Sequence, residues 1–155
     1  DHIHYATYFR YAIPEMVEEE RILYLDCDMI FTQDLSPLFD IDLKGYGLGA
    51  VVDKPTTTDG FNAGLLVIDK TWWQEHQVTE ELFDLTREHH QHVYGDQGIL
   101  NLYFKDAWFP LPWTYNLQVG SDKDQYLYGD LDWYDAFQGI PAVIHYTSHN
   151  KPWTS

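Results

Sequence analysis

Two aspartates, Asp26 and Asp28, are the residues best placed to do chemistry, because they end an apolar run of strand-forming residues (21–25). Side chains in a strand alternate between its two faces, so both carboxylates would point to one side and Cys27 to the other. Carboxylates held this close repel each other unless a cation or a shared proton lies between them. The pair therefore indicates a site for a divalent metal ion, and the alternative is an acidic turn after a buried strand.

Three more polar side chains accompany apolar runs elsewhere in the chain. Asn62 lies at the start of the run 61–69, His145 lies in the last run, 142–146, and Lys151 follows shortly after. Ligands of open α/β sheets bind beyond the ends of strands, where loops converge. Two carboxylates and one imidazole suit Mn²⁺, which accepts oxygen and nitrogen ligands and leaves positions for phosphate oxygens. Lys151 is close enough in sequence to His145 to reach the same phosphates.

The elements that must position these residues are short apolar strands that alternate with helices, which predicts one α/β domain over residues 1–155. Helices are predicted over 6–20, after Thr71, over 78–92 and from 95, and strands over 21–28, 45–53, 61–69 and 142–146. Pro14 is expected to kink or divide the first helix. The uninterrupted apolar run 65–68 is typical of a strand covered on both faces, as in a mixed but mostly parallel sheet flanked by helices.

Composition excludes several classes of function. The chain has 155 residues, 45% of them hydrophobic, which is enough for one globular domain. Its net charge of -16 and the scatter of its nine lysines and arginines argue against nucleic acid and anionic membranes as partners. A single cysteine, Cys27, excludes an internal disulfide and fits a reducing compartment. No run approaches the ~20 apolar residues of a membrane span, so we expect a cytoplasmic protein, peripheral to a membrane only through segments not present here.

Four motifs, in order along the chain, resemble those of the family-eight retaining glycosyltransferases, including the bacterial lipopolysaccharide glucosyl- and galactosyltransferases. They are Leu-Tyr-Leu-Asp-Cys-Asp at 23–28 with Asp-Leu-Ser-Pro-Leu at 34–38, Phe-Asn-Ala-Gly-Leu-Leu at 61–66, Gly-Asp-Gln at 95–97, and Ile-His-Tyr at 144–146 with Lys-Pro-Trp at 151–153. Tyr-Phe-Arg at 8–10 agrees with the same pattern. Ser148 stands where the closing motif often has glycine, which bears on how closely that backbone approaches a diphosphate.

The resemblance implies a GT-A fold and an Mn²⁺-dependent transfer of glucose or galactose from a UDP-sugar to a saccharide or glycoconjugate acceptor, with retention at the anomeric carbon. Mg²⁺ is the alternative ion. By resemblance, Asp26, Asp28 and His145 would ligate the metal, Lys151 would contact phosphate, and the backbone at Cys27 would lie along the ribose. The residues implied to hold the donor sugar are Arg10, Asn62, Ala63, Gly64 and Asp96.

By the same resemblance, Gln97 would face the anomeric carbon, as a covalent nucleophile or as a group that steadies a front-face displacement. Asp96 would act beside it and also suits the N-cap of its helix. Family members have an N-terminal strand and helix that bind the nucleoside, and nothing here corresponds to them, so we expect an N-terminally truncated domain. Asp53 and the loop 54–60 follow a strand end and are candidates for acceptor binding.

Two other functions are weighed against this one. A non-catalytic sugar- or nucleotide-binding module would keep the fold without turnover. A haloacid-dehalogenase-like phosphatase also carries an Asp-x-Asp after an apolar strand, but it requires threonine where this chain has Ile30. Neither the acceptor nor the oligomeric state follows from the residues.

Overall fold

Two β-sheets and four α-helices make up the part of the chain that the computed structural model describes, residues 5–53, 60–89, 95–119, 140–148 and 151–153. The strands are β1 Arg21–Leu25, β2 Met29–Phe31, β3 Leu48–Val52, β4 Phe61–Asp69, β5 Phe109–Pro110, β6 Leu117–Val119 and β7 Val143–Tyr146. The helices are α1 Ile13–Met16, α2 Lys70–Glu75, α3 Val78–His89 and α4 Gly95–Phe104. Short 3₁₀ helices span Tyr5–Ala12, Ser36–Leu38 and Trp113–Tyr115. None of the helices in these ranges is long and apolar enough to cross a membrane.

The larger sheet has the strand order β1-β4-β3-β5 and the smaller sheet the order β2-β7-β6. The mixed α/β architecture is confirmed, but the expectation of mostly parallel strands is wrong for the described strands. Three of the five pairings are antiparallel: β1 with β4, β3 with β4, and β2 with β7. Parallel neighbours need a crossover connection of a dozen or more residues, whereas only residues 53–60 separate β3 from β4, so the two strands form an antiparallel pair.

Strand β4 is apolar from Leu65 to Ile68 because a different layer covers each of its faces. Leu66 and Ile68 belong to a core cluster that includes the buried helix residues Trp73, Leu82 and Leu100. Leu65 and Val67 belong to a second cluster, with Leu38, Leu111 and Val143 on the side of the smaller sheet. Each such side chain stabilises the fold by roughly 1.5–3 kcal/mol on burial. Strand β4 is therefore the rigid element on which Asn62, Ala63 and Gly64 are held.

The N-terminal segment is divided, as expected near Pro14, but it is helical only as far as Met16 and not over the whole of the predicted range 6–20. A 3₁₀ helix, Tyr5–Ala12, gives way to the single α-turn of α1, in which Pro14 occupies the first turn. Proline fits there because the first turn leaves its N–H groups without intrahelical partners, so the missing donor costs nothing. Tyr11 is fully buried and meets the ring of Phe83 edge-on at 5.4 Å. This contact fixes the segment, and with it the neighbouring Arg10, against the core.

Candidate active site

Asp26 and Asp28 lie in a bend that joins β1 of the larger sheet to β2 of the smaller one. The observed strand stops at Leu25, not at residue 28 as predicted, so strand alternation does not place the two carboxylates. Backbone hydrogen bonds do: the Asp26 N–H donates to the Gly64 carbonyl at 2.8 Å, and the Tyr146 N–H donates to the Asp28 carbonyl at 3.0 Å. The pair is thus tied to β4 on one side and to β7 on the other, and Cys27 between them is exposed.

His145, on β7, completes a cluster with the two aspartates in which one ligand atom from each residue lies within 4.8 Å of the others. Its Nε2 is 3.1 Å from Oδ1 of Asp28 and 3.9 Å from Oδ2 of Asp26. Oδ1 of Asp28 is buried, yet it accepts no hydrogen bond from any residue that the structure describes. A buried carboxylate oxygen without a donor, beside a second carboxylate and an imidazole, fits a divalent cation such as Mn²⁺.

The electrostatics of His145 also suit metal binding. Burial lowers the pKa of its imidazole below the ordinary value, against the raising effect of the carboxylates of Asp28 and Asp26. The neutral imidazole is the form that binds a metal. Lys151 places its Nζ 2.7 Å from Oδ2 of Asp28 and also donates to the Tyr146 carbonyl, so a cation stands at the edge of the carboxylate pair. The half-buried Ser148 lies just beyond the end of β7.

Arg10 reaches into the same site rather than into solvent. Its Nη1 donates to the Ala63 carbonyl at 2.8 Å and its Nη2 to Oδ1 of Asp26 at 3.2 Å. Its Nε lies 2.6 Å from Oδ2 of Asp96, an ion pair in which both side chains are only 11% exposed. The guanidinium also stacks 4.6 Å from the centre of the Tyr24 ring. Arg10 therefore links the bend, strand β4 and helix α4.

Tyr24 is a site residue to which the sequence pattern assigned no role. Its hydroxyl donates to Oδ1 of Asp26 at 2.6 Å, so this one carboxylate oxygen accepts from both Tyr24 and Arg10. The signal was present in the sequence: Tyr24 stands two residues before Asp26, and residues two apart on an extended chain face the same side.

A wide irregularity in β4 shapes the donor-side backbone. Ala50 of β3 pairs with Leu66, but the next residue, Val51, pairs with Asn62, so the residues between the two partners have no counterpart on β3. Their backbone groups bind site side chains instead. The Ala63 N–H donates to Oε1 of Gln97 at 3.0 Å, its carbonyl accepts from Arg10, and the Gly64 N–H donates to Oδ1 of Asn62 at 3.0 Å. Bulges that re-aim a strand in this way are common beside active sites.

Helix α4 brings Asp96 and Gln97 to this bulge. The helix begins at Gly95, whose φ is +66°, so Asp96 lies inside the first turn rather than at the N-cap. Burial raises the pKa of Asp96, and the nearby Arg10 opposes that shift. Gln97 is held at both ends of its amide, since Nε2 donates to Oδ2 of Asp53 at 3.1 Å while Oε1 accepts from β4. The structure thus places Asp53 against Gln97, while residues 54–59 of the candidate acceptor loop lie outside the described residues.

Asn116 is a second residue that the sequence pattern missed, and no local motif marks it. Only 2% of the residue is exposed, and it lies between the Trp113–Tyr115 turn and β6. Its Oδ1 is 3.0 Å from Nδ1 of His145, and its Nδ2 donates to Oδ1 of Asn62 at 2.9 Å. Packing is close here as well, because a Cβ at Gly64 would lie 2.3 Å from Cε1 of His145.

Known proteins share this sequence and this arrangement. The family model of glycosyl transferase family 8 matches residues 1–155. The glycosyltransferase GlyF of Streptococcus pneumoniae serotype 4 is 46% identical over 158 residues, covering 99% of this chain and 39% of GlyF. The crystal structure of apo-form GlyE of Streptococcus pneumoniae superposes with a TM-score of 0.84 at 40% identity, over 95% of this chain and 38% of GlyE.

The galactosyltransferase LgtC, crystallised in complex with donor and acceptor sugar analogues, superposes with a TM-score of 0.79 at 28% identity, over 98% of this chain and 62% of LgtC. The chain spans about two fifths of the length of the pneumococcal relatives that it matches. GlyE and LgtC have the GT-A fold, and their close superposition confirms that fold for this chain. On the match of the family model over the whole chain, and on these likenesses, the chain belongs to glycosyl transferase family 8.

Proposed function

We propose that this chain supplies the metal-, diphosphate- and sugar-binding residues of a retaining hexosyltransferase, which moves glucose or galactose from a UDP-sugar to a saccharide or glycoconjugate acceptor. The observation that carries the proposal is the convergence of Asp26, Asp28 and His145 on one point beside Lys151. Family membership leaves the phosphatase alternative without support. Action in the cytoplasm, on acceptors such as lipopolysaccharide, belongs to the same proposal.

A chain with a net charge of -16 needs local cations to receive an anionic donor. Asp26, Asp28 and His145 would hold Mn²⁺, or alternatively Mg²⁺, and the bound ion would neutralise charge that develops on the departing UDP. Lys151 stands against Asp28 and is positioned to exchange that contact for a phosphate oxygen. Ser148, two residues beyond β7, and the backbone at Cys27, between the two aspartates, would lie along the diphosphate and ribose.

The donor sugar would lie against the bulge of β4. The Gly64 N–H and the Asn116 amide both donate to Oδ1 of Asn62, so the Nδ2 group of Asn62 is the part of that side chain left to bind a sugar hydroxyl. Arg10 and Asp96 form one ion pair at this surface, and the absence of a Cβ at Gly64 brings the strand close to His145. These are hydrogen-bonding groups on rigid elements, as selective sugar binding requires.

Gln97 would act at the anomeric carbon as a fixed amide. Its Oε1 accepts the Ala63 N–H and its Nε2 donates to Asp53, so the amide plane is held from both sides. Covalent attack by Oε1 would start from an oxygen whose nucleophilicity the Ala63 N–H already lowers, whereas steadying a front-face displacement uses the amide as it is held. The geometry therefore supports the front-face role, with Asp96 holding Arg10 beside it.

The test is a transfer and hydrolysis assay with UDP-glucose and UDP-galactose, with Mn²⁺ and a panel of saccharide acceptors. Products are identified by mass spectrometry and their anomeric configuration by NMR. We expect retained configuration, and a loss of at least 10²-fold in rate for Asp28→Asn and Gln97→Ala. Asp42→Asn is the matched control, because Asp42 is an exposed carboxylate paired with Lys44.

Two outcomes would change the proposal. Binding of Mn²⁺ and UDP-sugar without any product would favour the non-catalytic binding module. An activity that neither Asp28→Asn nor Gln97→Ala alters would show that the assigned residues are wrong.

A further inference from the structure

We propose that Asn116 is a positioning residue of the metal site: it keeps the proton of His145 on Nδ1, and so presents an unprotonated Nε2 to Asp26 and Asp28. The inference rests on the proposed function for the identity of the bound cation. The tautomer itself follows from hydrogen bonds within the protein.

The direction of these hydrogen bonds is set by a backbone group that has only one role. The Gly64 N–H can only donate, and the atom of Asn62 that it meets at 3.0 Å must therefore be the carboxamide oxygen. Asn116 meets the same oxygen at 2.9 Å, so it must present its own NH₂ group there. The oxygen of Asn116 is then turned toward His145, at 3.0 Å from Nδ1. An amide oxygen only accepts, so Nδ1 must carry the proton.

The other side of the imidazole agrees with this assignment. Nε2 of His145 lies 3.1 Å from Oδ1 of Asp28, but that buried oxygen accepts no hydrogen bond from any residue in the described ranges. With the proton on Nε2, the lone pair on Nδ1 would face the oxygen of Asn116 at 3.0 Å, two acceptors with no cation between them. Two acceptors that face each other across 3.1 Å are instead what a site for a cation requires.

The hydrogen bonds that link Asn62, Asn116 and His145 also explain why these three polar side chains are buried together. Asn62, Asn116 and His145 are 6%, 2% and 4% exposed, and each unsatisfied polar group at such depth would cost roughly 1–3 kcal/mol. The alternative is a purely structural role, in which Asn116 does no more than join β4 to the segment before β6. Such a residue would stabilise the fold without fixing the tautomer of His145, and the tautomer can be measured.

The first measurement is a long-range ¹H–¹⁵N NMR experiment on the metal-free protein at pH 8, where the ring is neutral. The signal of His145 is assigned by its loss in His145→Gln, since the chain has eight histidines. The ¹⁵N shifts are expected to show the Nδ1–H tautomer. In Asn116→Leu, which removes the acceptor, we expect a mixture of tautomers or mainly Nε2–H, and an Mn²⁺ affinity, measured by electron paramagnetic resonance, that is lower by about 10–100-fold.

Asn116→Asp is the conservative variant. It keeps an oxygen opposite Nδ1, so we expect it to retain the Nδ1–H tautomer and most of the Mn²⁺ affinity. Its second oxygen replaces the donor to Oδ1 of Asn62, so we expect its stability to fall. Thr79→Val serves as the control for stability alone, because Thr79 accepts from Trp73 and donates to the Tyr11 carbonyl within the core, and it contributes nothing to the metal cluster. It should lower stability without changing the tautomer.

The proposal is overturned if His145 of the wild-type protein carries its proton on Nε2. It is also overturned if Asn116→Leu leaves both the tautomer and the Mn²⁺ affinity unchanged. Where the leucine variant does not fold, it is overturned if Asn116→Asp loses both the Nδ1–H tautomer and the Mn²⁺ affinity. A wild-type protein with the Nδ1–H tautomer but no affinity for Mn²⁺ would instead contradict the proposed function and leave the role of Asn116 standing.

Discussion

Replacing Gly64 by alanine should damage the metal site although Gly64 contributes no ligand atom. The new Cβ would lie 2.3 Å from Cε1 and 2.8 Å from Nδ1 of His145, and 3.0 Å from Oδ1 of Asn62. Contacts below 3.0 Å require movement, and His145 is 4% exposed on the central strand of the smaller sheet. The imidazole can yield only by turning away from Asn116 or from the carboxylates.

The size of the effect follows from two opposing terms. Overpacking of a well-packed interior costs about 1–3 kcal/mol. Alanine in place of glycine inside a strand otherwise recovers roughly 0.5–1 kcal/mol of chain entropy. The net loss is therefore between about 0 and 2.5 kcal/mol, or up to about 10 °C in Tm at roughly 2–4 °C per kcal/mol for a chain of this size. Because the imidazole moves, the affinity for Mn²⁺ should also fall by about 10-fold or more.

The assay combines thermal unfolding with Mn²⁺ titration, and Gly45→Ala is the control. Gly45 has a φ of +86°, and a Cβ added there would meet no other atom within 4 Å, so alanine costs roughly 1–2 kcal/mol through backbone strain alone. It should lower Tm but leave the affinity for Mn²⁺ unchanged. Adding His145→Ala to Gly64→Ala should recover part of the lost stability, since the clash is then gone. Wild-type affinity in Gly64→Ala would refute the reasoning.

Three further outcomes are expected. Arg10→Lys should lose part of the roughly 3–5 kcal/mol that breaking a buried ion pair costs, because one ammonium cannot reach Asp96, Asp26 and the β4 carbonyl together; chemical denaturation measures the loss. Tyr24→Phe should cost about 1 kcal/mol in the same assay and weaken Mn²⁺ binding, because Asp26 loses a 2.6 Å hydrogen bond. Mn²⁺ at 100 times its Kd should stabilise the protein by roughly 2.7 kcal/mol in thermal unfolding, and Asp28→Asn should abolish that gain.

Each of these outcomes has a result that would contradict it. Wild-type stability in Arg10→Lys would mean that the guanidinium contacts contribute nothing beyond charge. An unchanged Mn²⁺ affinity in Tyr24→Phe would separate the tyrosine from the metal site. A thermal shift with Mn²⁺ that persists in Asp28→Asn but vanishes in Asp42→Asn would place the binding elsewhere, on exposed carboxylates.

Local pattern sufficed for the strands and for the candidate ligands. The apolar runs 61–69 and 142–146 contain β4 and β7 within their bounds, and the Asp pair follows β1 as expected. Apolar character could not reveal strand direction, because a strand between two packed layers has the same composition in a parallel and an antiparallel sheet. The length of the connection from β3 to β4 does indicate the direction, because residues 53–60 are too few for a crossover between parallel neighbours. Strand alternation gave the right side for Asp26 and Asp28 for the wrong reason, since the chain bends there.

The contacts that hold the metal-site residues could not be predicted from the sequence, for a different reason. Asn116 acts on residues 54 and 29 positions away, Asn62 and His145. No periodicity or spacing rule connects such distant positions. Tyr24, by contrast, shares a face with Asp26 at a separation of two residues, and the polar hydroxyl in an otherwise apolar strand end was the available signal.

The site lies between two sheets, which explains why many residues that hold the metal ligands in place are not ligands themselves. Asp26 follows the larger sheet, His145 belongs to the smaller one, and the ligand cluster exists only while the two sheets keep their relative placement. The hydrogen bonds from Asp26 to Gly64 and from Tyr146 to Asp28 hold that placement next to the ligands. Farther away, Nε2 of Gln118 on β6 donates to the Val52 carbonyl on β3 at 3.0 Å.

The hydrogen bond of Gln118 allows a test, away from the site, of whether the ligand cluster depends on the placement of the two sheets. Gln118 is 5% exposed and contributes no atom to the metal cluster, so Gln118→Leu removes a link between the sheets while it preserves side-chain volume. If the ligand geometry depends on how the sheets meet, this variant should bind Mn²⁺ several-fold more weakly than Thr79→Val. The Thr79 variant loses hydrogen bonds within the core and none between the sheets. Equal affinities in the two variants at matched stability would mean that the bend at Asp26 and Asp28 sets the ligand geometry by itself.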